Sequence, residues 1–232
     1  MLPIRDSVPT RSFPLVTVGL IAANTVVWLW ELHGTPVEYD VLRYGFYPCS
    51  VSGPCLPPAP ASHLPWYEGV FTSLFMHGSW LHLIGNMLFL WIFGNNVEDS
   101  LGRVRYLLWY VAAGLAATGT QTAVTLHYAA GRGASIPTVG ASGAIAGVLG
   151  AYFVLLPTAR VLTLVGFFFP VELPALLFLG LWFLFQLWEG NYALTYPQAG
   201  GGVAFFAHVG GFLFGLVTAP FLARRRPGIP YP

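Results

Sequence analysis

The chain contains no lysine, and charged residues of all kinds make up only 8% of its 232 residues. Soluble domains carry about 25% charged residues, so this composition excludes an ordinary soluble domain. Hydrophobic residues make up 56% of the chain, and its mean hydropathy is +0.66. These values predict an integral membrane protein that is surrounded by a lipid bilayer.

The missing lysine also excludes one class of ligand site. A Walker-type phosphate loop requires a lysine that reaches the phosphates, and no such loop can form here. The formal net charge of +1 provides no basic surface for nucleic acid. We therefore expect neither nucleic acid nor nucleotide as a partner, and the sequence predicts no cofactor and no metal site.

Cysteine is scarce as well, since only Cys49 and Cys55 occur, in the motif C-S-V-S-G-P-C. They lie in the longest polar stretch, residues 33–69, which the arginine distribution places outside the membrane. An oxidising exterior permits a disulfide between them, and two free thiols in a proline-rich loop are the equal alternative. A zinc site is not expected, because no second Cys/His pair follows at finger-like spacing.

The apolar residues occur in runs that are long enough to cross a bilayer, which requires about 20 residues per helix. The first run is too long for the apolar part of a signal peptide, so we interpret it as a retained anchor. Residues 157–173 are interrupted by charge and proline, and we expect them to lie at the membrane interface. Six spans are predicted, at residues 13–32, 70–93, 104–126, 140–157, 173–188 and 203–223.

The distribution of arginine predicts the orientation of these spans. With the N-terminus inside and six spans, 8 of the 10 arginines lie in cytoplasmic segments, whereas Arg43 and Arg132 lie outside. Both termini are therefore expected in the cytoplasm.

The predicted fold class is thus an all-α polytopic membrane protein with six transmembrane helices. We expect a single membrane domain over residues 1–232, with a core at about 13–223, an external loop at 33–69 and a cytoplasmic tail at 224–232. A compact multi-pass chain of this kind suggests a prokaryotic plasma membrane.

Polar residues inside apolar spans are energetically costly, and by default they indicate a functional site. His82 and Asn86 are about one helical turn apart, so they project from the same face of the second span. Two convergent hydrogen-bond donors on a rigid helix are suited to binding an oxyanion. The alternative is that both residues form hydrogen bonds between packed membrane helices.

The fourth and sixth spans carry a second polar pair. Ser142 lies in G-A-S-G-A-I-A-G and His208 in A-H-V-G-G-F-L-F-G, and each adjoins a row of glycine and alanine residues. Such rows allow two helices to approach closely, so the histidine can reach the serine and take its proton. Close packing without chemistry is the alternative, above all for Ser142. Neither span contains Asp or Glu, so we expect a Ser-His dyad.

Two neighbouring segments complete the expected site. Residues 135–138 should descend as irregular backbone, which a membrane protein tolerates where the backbone lines a wet cavity. We therefore expect a water-accessible pocket above Ser142 that opens outward. His77 precedes His82 by five residues and should point about 140° away around the helix. We assign His77 no ligand role and expect it to face the aqueous opening or to pack against a loop.

Together these motifs resemble the rhomboid family of intramembrane serine proteases. The resemblance rests on G-A-S-G-A-x-x-G, on H-x-x-x-N in the second span and on A-H-x-x-G-x-x-x-G in the sixth. It implies hydrolysis of a peptide bond in or beside the transmembrane segment of a membrane-protein substrate. It further implies that Ser142 is the nucleophile and that His208 is the general base and then the general acid. His82, Asn86 and the backbone N–H of Ser142 would bind the oxyanion, and Glu98 would stabilise a turn.

The chain departs from the family's pattern at two places. Many members have an aromatic residue that stacks on the catalytic histidine four positions after the serine, and Ala146 stands there. Tyr152 or an aromatic residue of the fifth span is the expected replacement. The outer loop has W-Y-E-G at 66–69 instead of the family's Trp-Arg pair, which leaves the anchoring of this loop open. The family also implies that the fifth span, with Trp182 and Phe183, is a lateral gate for the substrate, and aromatic residues that simply face the lipid are the alternative.

Three classes of function are compatible with these motifs, and an intramembrane serine endopeptidase is the expected one. A catalytically inactive relative that binds membrane clients should have lost at least one of the four site residues, whereas all four are present. A transporter is the third class. The sequence offers it no intramembrane carboxylate for ion coupling and no repeat between the two halves.

Overall fold

The computed structural model describes residues 1–34, 36–57, 59, 62–166, 168–195 and 203–224. Most of these residues are helical. The predicted tail at 224–232 lies, apart from Arg224, outside the described residues. The elements in chain order are β1 (Leu2–Asp6), α1 (Leu15–Glu31), α2 (Val37–Tyr44), α3 (Trp66–Thr72), α4 (Trp80–Phe89), α5 (Asn95–Leu101), α6 (Arg103–Tyr128), α7 (Ser142–Leu155), β2 (Arg160–Val165), β3 (Phe169–Pro174), α8 (Ala175–Thr195) and α9 (Phe205–Leu222).

Five of the six predicted spans each contain one long helix, namely α1, α6, α7, α8 and α9. The second predicted span is wrong at its beginning, because α4 starts at Trp80 rather than at residue 70. Ser79 caps this helix, since its Oγ accepts a hydrogen bond from the His82 N–H at 3.2 Å. At its other end α4 continues through a π-helical turn (Leu90–Gly94) into α5.

Among the helices of the described residues, α9 alone is both long enough and apolar enough to cross a membrane. The helices α1 and α7 are apolar but shorter, with 17 and 14 residues. The count of six spans and the cytoplasmic location of both termini stay predictions.

The prediction of an all-α chain is wrong at residues 157–173. This stretch contains β2 and β3, which form an antiparallel hairpin, and β1 pairs with β2 as a third strand. Val161 and Thr163 of β2 are fully buried between more exposed neighbours, which is the two-residue period of a strand. Gly166 in the hairpin turn has φ +60°, a conformation that glycine adopts without strain.

The glycine-rich faces of α7 and α9 are packed against each other. A Cβ added at Gly211 of α9 would overlap the carbonyl oxygen of Gly143, and one added at Gly215 would overlap that of Gly147. The two helix backbones are therefore in direct contact, as the rows of small residues predict. We call this contact the glycine seam. It determines how far apart the polar residues of α7 and α9 can lie.

Glu98 of α5 holds the beginning of α1. Its carboxylate accepts hydrogen bonds from the N–H groups of Val16 and Thr17 and from the Thr17 hydroxyl, at 2.8 to 3.1 Å. The first N–H groups of a helix have no acceptor within the helix, and a negative charge beside them is favourable. These contacts agree with the structural role expected for Glu98.

A disulfide joins Cys49 and Cys55 within the loop at residues 33–69, which decides between the two alternatives that the sequence leaves open. The loop is also bound to residues 135–138, because Phe46 and Thr138 exchange two backbone hydrogen bonds of 2.8 and 3.1 Å. Residues 136–138 are irregular, as predicted. The loop is thereby fixed to the segment that leads into α7.

Candidate active site

Ser142 is the first residue of α7. The backbone before it turns at Gly140, whose φ of +123° favours glycine, and the Gly140 N–H donates to the carbonyl of Ser73 at 2.8 Å. The first N–H groups of a helix lie at the positive end of its dipole and have no acceptor within the helix. The hydroxyl of Ser142 and these N–H groups therefore lie side by side.

His208 of α9 lies against this hydroxyl. Its Nε2 is 2.8 Å from the Ser142 Oγ, which is within the range of a good hydrogen bond. The predicted contact between the fourth and sixth spans is thus present. It depends on the glycine seam, which brings the two helices to the short separation that the contact requires.

The second nitrogen of the His208 ring contacts a residue that sequence reasoning missed. Nδ1 is 2.8 Å from the Oε1 of Gln186 on α8, and the Gln186 side chain is buried. Two aromatic rings lie near the imidazole, since the centroids of Trp182 and Phe205 are 5.9 and 6.4 Å from its own. The signal in the sequence is a lone amide at the end of the aromatic run L-G-L-W-F-L-F-Q, residues 179–186.

Tyr152 is one of the two residues expected to support the His208 ring, and the structure places it elsewhere. The Tyr152 hydroxyl donates a hydrogen bond to the carboxylate of Asp6, and the Tyr152 ring lies 5.0 Å from that of Phe93. Tyr152 lies more than two turns of α7 beyond Ser142, so it does not support His208. The alternative, an aromatic residue of the fifth span, agrees with the contact of Trp182.

His82 and Asn86 lie on α4, next to the turn that precedes Ser142. The His82 ring packs on Gly140, where a Cβ would come within 2.7 Å of Cε1 and Nε2 of the ring and 3.6 Å of the Ser142 Oγ. Asn86 is buried, and its Nδ2 lies 3.0 Å from Nε2 of His77. A side-chain amide has two N–H groups, so donation of one to His77 leaves the other for a ligand.

The helical position expected for His77 is wrong, and of the two surroundings considered for its side chain the aqueous opening is excluded. The residue lies before α4 rather than in it, so the angular argument does not apply, and its side chain is fully buried rather than facing water. Its Nδ1 contacts the Phe75 carbonyl at 3.1 Å, which leaves Nε2 to accept from Asn86. Its backbone N–H donates to the carboxylate of Glu31 at 3.2 and 3.3 Å.

Glu31 is a second residue that the sequence reasoning overlooked. It ends α1 within the first predicted span, and its side chain is fully buried. The expectation of no carboxylate in the predicted spans is therefore wrong. Glu31 holds the backbone of His77, so it stabilises the irregular segment that supports Asn86.

A small cavity of about 30 Å³ lies beside Ser142. Gln121, Thr138 and Ala204 also line a larger cavity of about 150 Å³, so the two adjoin. Both cavities are lined in part by polar side chains, among them those of Gln121 and Thr138. The small cavity agrees with the expectation of a pocket at Ser142, and the opening of this pocket to water on the outer side stays a prediction.

Comparison with known sequences shows to which protein family the chain is related. The family model of the rhomboid domain matches residues 65–225. The chain is 29% identical over 205 residues to the presenilin-associated rhomboid-like protein, mitochondrial, of Bos taurus, with 85% of this chain and 46% of the relative covered. It is 30% identical over 155 residues to rhomboid protein 1, mitochondrial, of Saccharomyces cerevisiae, with 67% and 42% covered.

A bacterial relative is the chain YdcA of Bacillus subtilis, named as a candidate rhomboid protease, which is 31% identical over 143 residues with 61% and 62% of the two chains covered. The chain spans less than half the length of the two mitochondrial relatives. Their mitochondrial names do not support the expectation of a prokaryotic plasma membrane. The family match covers well over half of the chain, and the protein belongs to the membrane-embedded rhomboid family.

Proposed function

We propose that the protein is an intramembrane serine endopeptidase, which hydrolyses a peptide bond in or next to the transmembrane segment of a membrane-protein substrate. The observation that carries this proposal is the 2.8 Å contact between the Ser142 Oγ and Nε2 of His208. A serine hydroxyl becomes a nucleophile when a histidine within hydrogen-bond reach takes its proton. The packing of small residues alone does not require such a pair.

In the first half of the proposed reaction, the Ser142 Oγ attacks the scissile carbonyl while Nε2 of His208 takes the hydroxyl proton. The same nitrogen then gives the proton to the leaving amine, which leaves an acyl group on Ser142. In the second half, His208 takes a proton from water, and the resulting hydroxide attacks the acyl group. The bond between the acyl carbon and Oγ then breaks, and His208 returns its proton to Oγ, which releases the acid and restores the serine hydroxyl.

The negative charge of each tetrahedral intermediate requires donors at a fixed position. We assign this task to the backbone N–H of Ser142, the second N–H of Asn86 and the ring of His82. The first lies at the positive end of α7, and the other two lie on one face of α4. His77 and Glu31 support Asn86 from behind through the contacts described above.

For the membrane arrangement, we propose six spans with both termini in the cytoplasm. They are α1, the continuous helix from α4 to α5, α6, α7, α8 and α9. The disulfide-closed loop then lies on the opposite side of the membrane, together with the cavities beside Ser142. The site accordingly opens to the extracytoplasmic side, and the substrate is a transmembrane protein that reaches it from the lipid.

The experiment is cleavage of a single-span reporter protein by the purified chain in proteoliposomes. The wild type is expected to produce two fragments, and Ser142→Ala is expected to produce none while keeping the melting temperature of the wild type. Retention of cleavage in Ser142→Ala would contradict the proposal. A folded wild type that cuts none of a panel of single-span proteins, yet binds them, would establish the inactive client-binding relative instead.

The pH dependence of cleavage is a second test. Protonated His208 cannot accept the Ser142 proton, so kcat is expected to fall as the pH is lowered until His208 is protonated. The measurement is kcat in the same proteoliposomes at a series of pH values, with the folded fraction measured at each. A kcat that does not change through this range would contradict the role of His208 as the base.

A further inference from the structure

The neighbouring groups determine the orientation of the Gln186 amide, and with it the donor of the hydrogen bond between Gln186 and His208. The Gln186 Oε1 lies 2.8 Å from Nδ1 of His208, and its Nε2 lies 3.4 Å from the carbonyl of Trp182. A carbonyl only accepts hydrogen bonds and an amide nitrogen only donates them. The amide is therefore oriented with its oxygen towards the imidazole, and Nδ1 of His208 carries the proton.

This orientation determines the tautomer of a neutral imidazole. A neutral ring carries one proton, so a proton on Nδ1 leaves Nε2 with a lone pair. Nε2 is the nitrogen that lies 2.8 Å from the Ser142 Oγ. The tautomer selected by Gln186 is thus the one that can accept the serine proton. If the proton were on Nε2 instead, the ring could not act as a base towards Ser142.

The position of the amide is that of the carboxylate in a serine-protease triad. In such triads the third residue holds the histidine in the correct tautomer and orientation. A carboxylate at membrane depth carries a large desolvation cost, whereas a neutral amide accepts the same hydrogen bond without a charge. The Gln186 side chain is buried, so its hydrogen bond to the ring is shielded from competing water.

We propose that Gln186 is a positioning residue, which completes a Ser142–His208–Gln186 triad by fixing the tautomer of His208. The inference rests on the proposed function, because it concerns the base of that reaction. It also connects α8 to catalysis, since Gln186 and His208 lie on different helices. His208 is correctly oriented only while α8 is packed against α9.

The test uses the full-length protein in proteoliposomes and two substitutions at one position. Gln186→Leu removes the acceptor and keeps an apolar side chain of similar size, and it is expected to lower kcat about 10-fold to 100-fold with KM unchanged. Gln186→Glu keeps an oxygen acceptor and is expected to recover most of that loss. An unchanged kcat in Gln186→Leu, or no recovery in a Gln186→Glu protein that keeps the melting temperature of the wild type, would overturn the inference.

A spectroscopic readout separates positioning from stability. In protein labelled with ¹⁵N-histidine, the resonances absent from His208→Asn identify the ring, and the wild type is expected to have its proton on Nδ1. In Gln186→Leu we expect a mixture of tautomers or a proton on Nε2. The inference is overturned if the wild-type ring already carries its proton on Nε2, or if the tautomer is the same in Gln186→Leu.

Thr218→Val is the matched control. The Thr218 hydroxyl accepts a hydrogen bond from the Trp109 indole at 2.8 Å, so this substitution also removes a bond between α9 and a neighbouring helix. It is expected to lower the melting temperature without changing kcat or the tautomer. Equal losses of kcat in Gln186→Leu and Thr218→Val would show that Gln186 has a structural role only. Activity that persists in Ser142→Ala is a separate result, which would contradict the proposed function itself.

Discussion

The helices α7 and α8 both pack against α9, but they do so in different ways. Between α7 and α9 the two backbones are in contact, with glycine on both sides. Between α8 and α9 the contact is made by side chains, as in the stacking of Phe183 on Phe212 with centroids 4.5 Å apart. The first contact cannot open without separating the backbones, whereas the second can change by moving side chains.

The two kinds of helix contact correspond to the roles proposed for the residues that lie at them. Ser142 and His208, the proposed nucleophile and base, lie across the glycine seam, where a small displacement would break their contact. Gln186, which is proposed to orient His208, lies across the side-chain contact. The atoms proposed to react are therefore positioned by the backbone contact between α7 and α9. The helix α8, which is proposed as the lateral gate, is held by side chains that can rearrange.

The largest expected effect comes from adding a side-chain methyl group within the glycine seam. A Cβ at Gly215 would overlap the backbone of Gly147, so Gly215→Ala must separate α7 from α9. We expect a loss of about 3 kcal/mol or more in stability and no measurable cleavage. Thermal unfolding in detergent and the proteoliposome assay are the measurements.

Gly119→Ala is the control for this prediction. Gly119 lies on α6 with no atom within 4 Å of an added Cβ, so alanine there is expected to be neutral or to stabilise by about 0.4 to 1 kcal/mol. Equal behaviour of Gly215→Ala and Gly119→Ala would mean that the seam is not a backbone contact. The contrast between α7 and α8 would then be lost.

The second effect concerns Asn86 of α4, which is proposed as an oxyanion donor. Removal of one oxyanion donor costs about 100-fold to 1000-fold in kcat, so Asn86→Ala is expected to fall in this range with Ser142 and His208 still in contact. Asn24→Ala removes another buried asparagine of an apolar helix, whose amide donates to the Leu20 carbonyl. This control should lower stability alone, and an equal loss of kcat in both variants would argue against an oxyanion role.

The smallest effect, and the sharpest test of the comparison, comes from the two phenylalanines that contact Phe212. Phe183 of α8 stacks on this ring, and Phe153 of α7 meets it edge-on at 5.6 Å. If α8 is the gate, Phe183→Ala should cleave the reporter severalfold faster, because substrate access is easier. Phe153→Ala should not, since the glycine seam still holds α7.

A small fluorophosphonate probe distinguishes access from chemistry in these two variants. The probe reaches Ser142 from water, so its rate of labelling should not increase in Phe183→Ala. Faster labelling in that variant, or faster cleavage in Phe153→Ala, would contradict the assignment of α8 as the gate.

Much of the helical fold could be predicted from the sequence, because apolar runs and rows of small residues have direct physical consequences in a membrane. The rows beside Ser142 and His208 predicted a close helix contact, and that contact is present. The sequence analysis does not predict the hairpin of β2 and β3, because apolar residues interrupted by charge and proline also fit a segment at the membrane interface. Their two-residue alternation and Gly166 were the available signals.

The supporting residues of the site could not be predicted in the same way. Gln186 and Glu31 act through partners that are 22 and 46 positions away, and no local pattern specifies which ring or backbone group they meet. His77 was assigned to a helix that begins only after it. Such contacts follow from the packing of whole helices, which depends on the tertiary structure.

The central claim is that His208 activates the hydroxyl of Ser142. The most direct measurement is labelling of the folded protein by a fluorophosphonate probe, followed by mass spectrometry of the modified peptide. We predict a single adduct on Ser142 that is absent from Ser142→Ala and strongly slowed in His208→Asn. An adduct on another residue, or equally fast labelling of Ser142 in His208→Asn, would contradict the account.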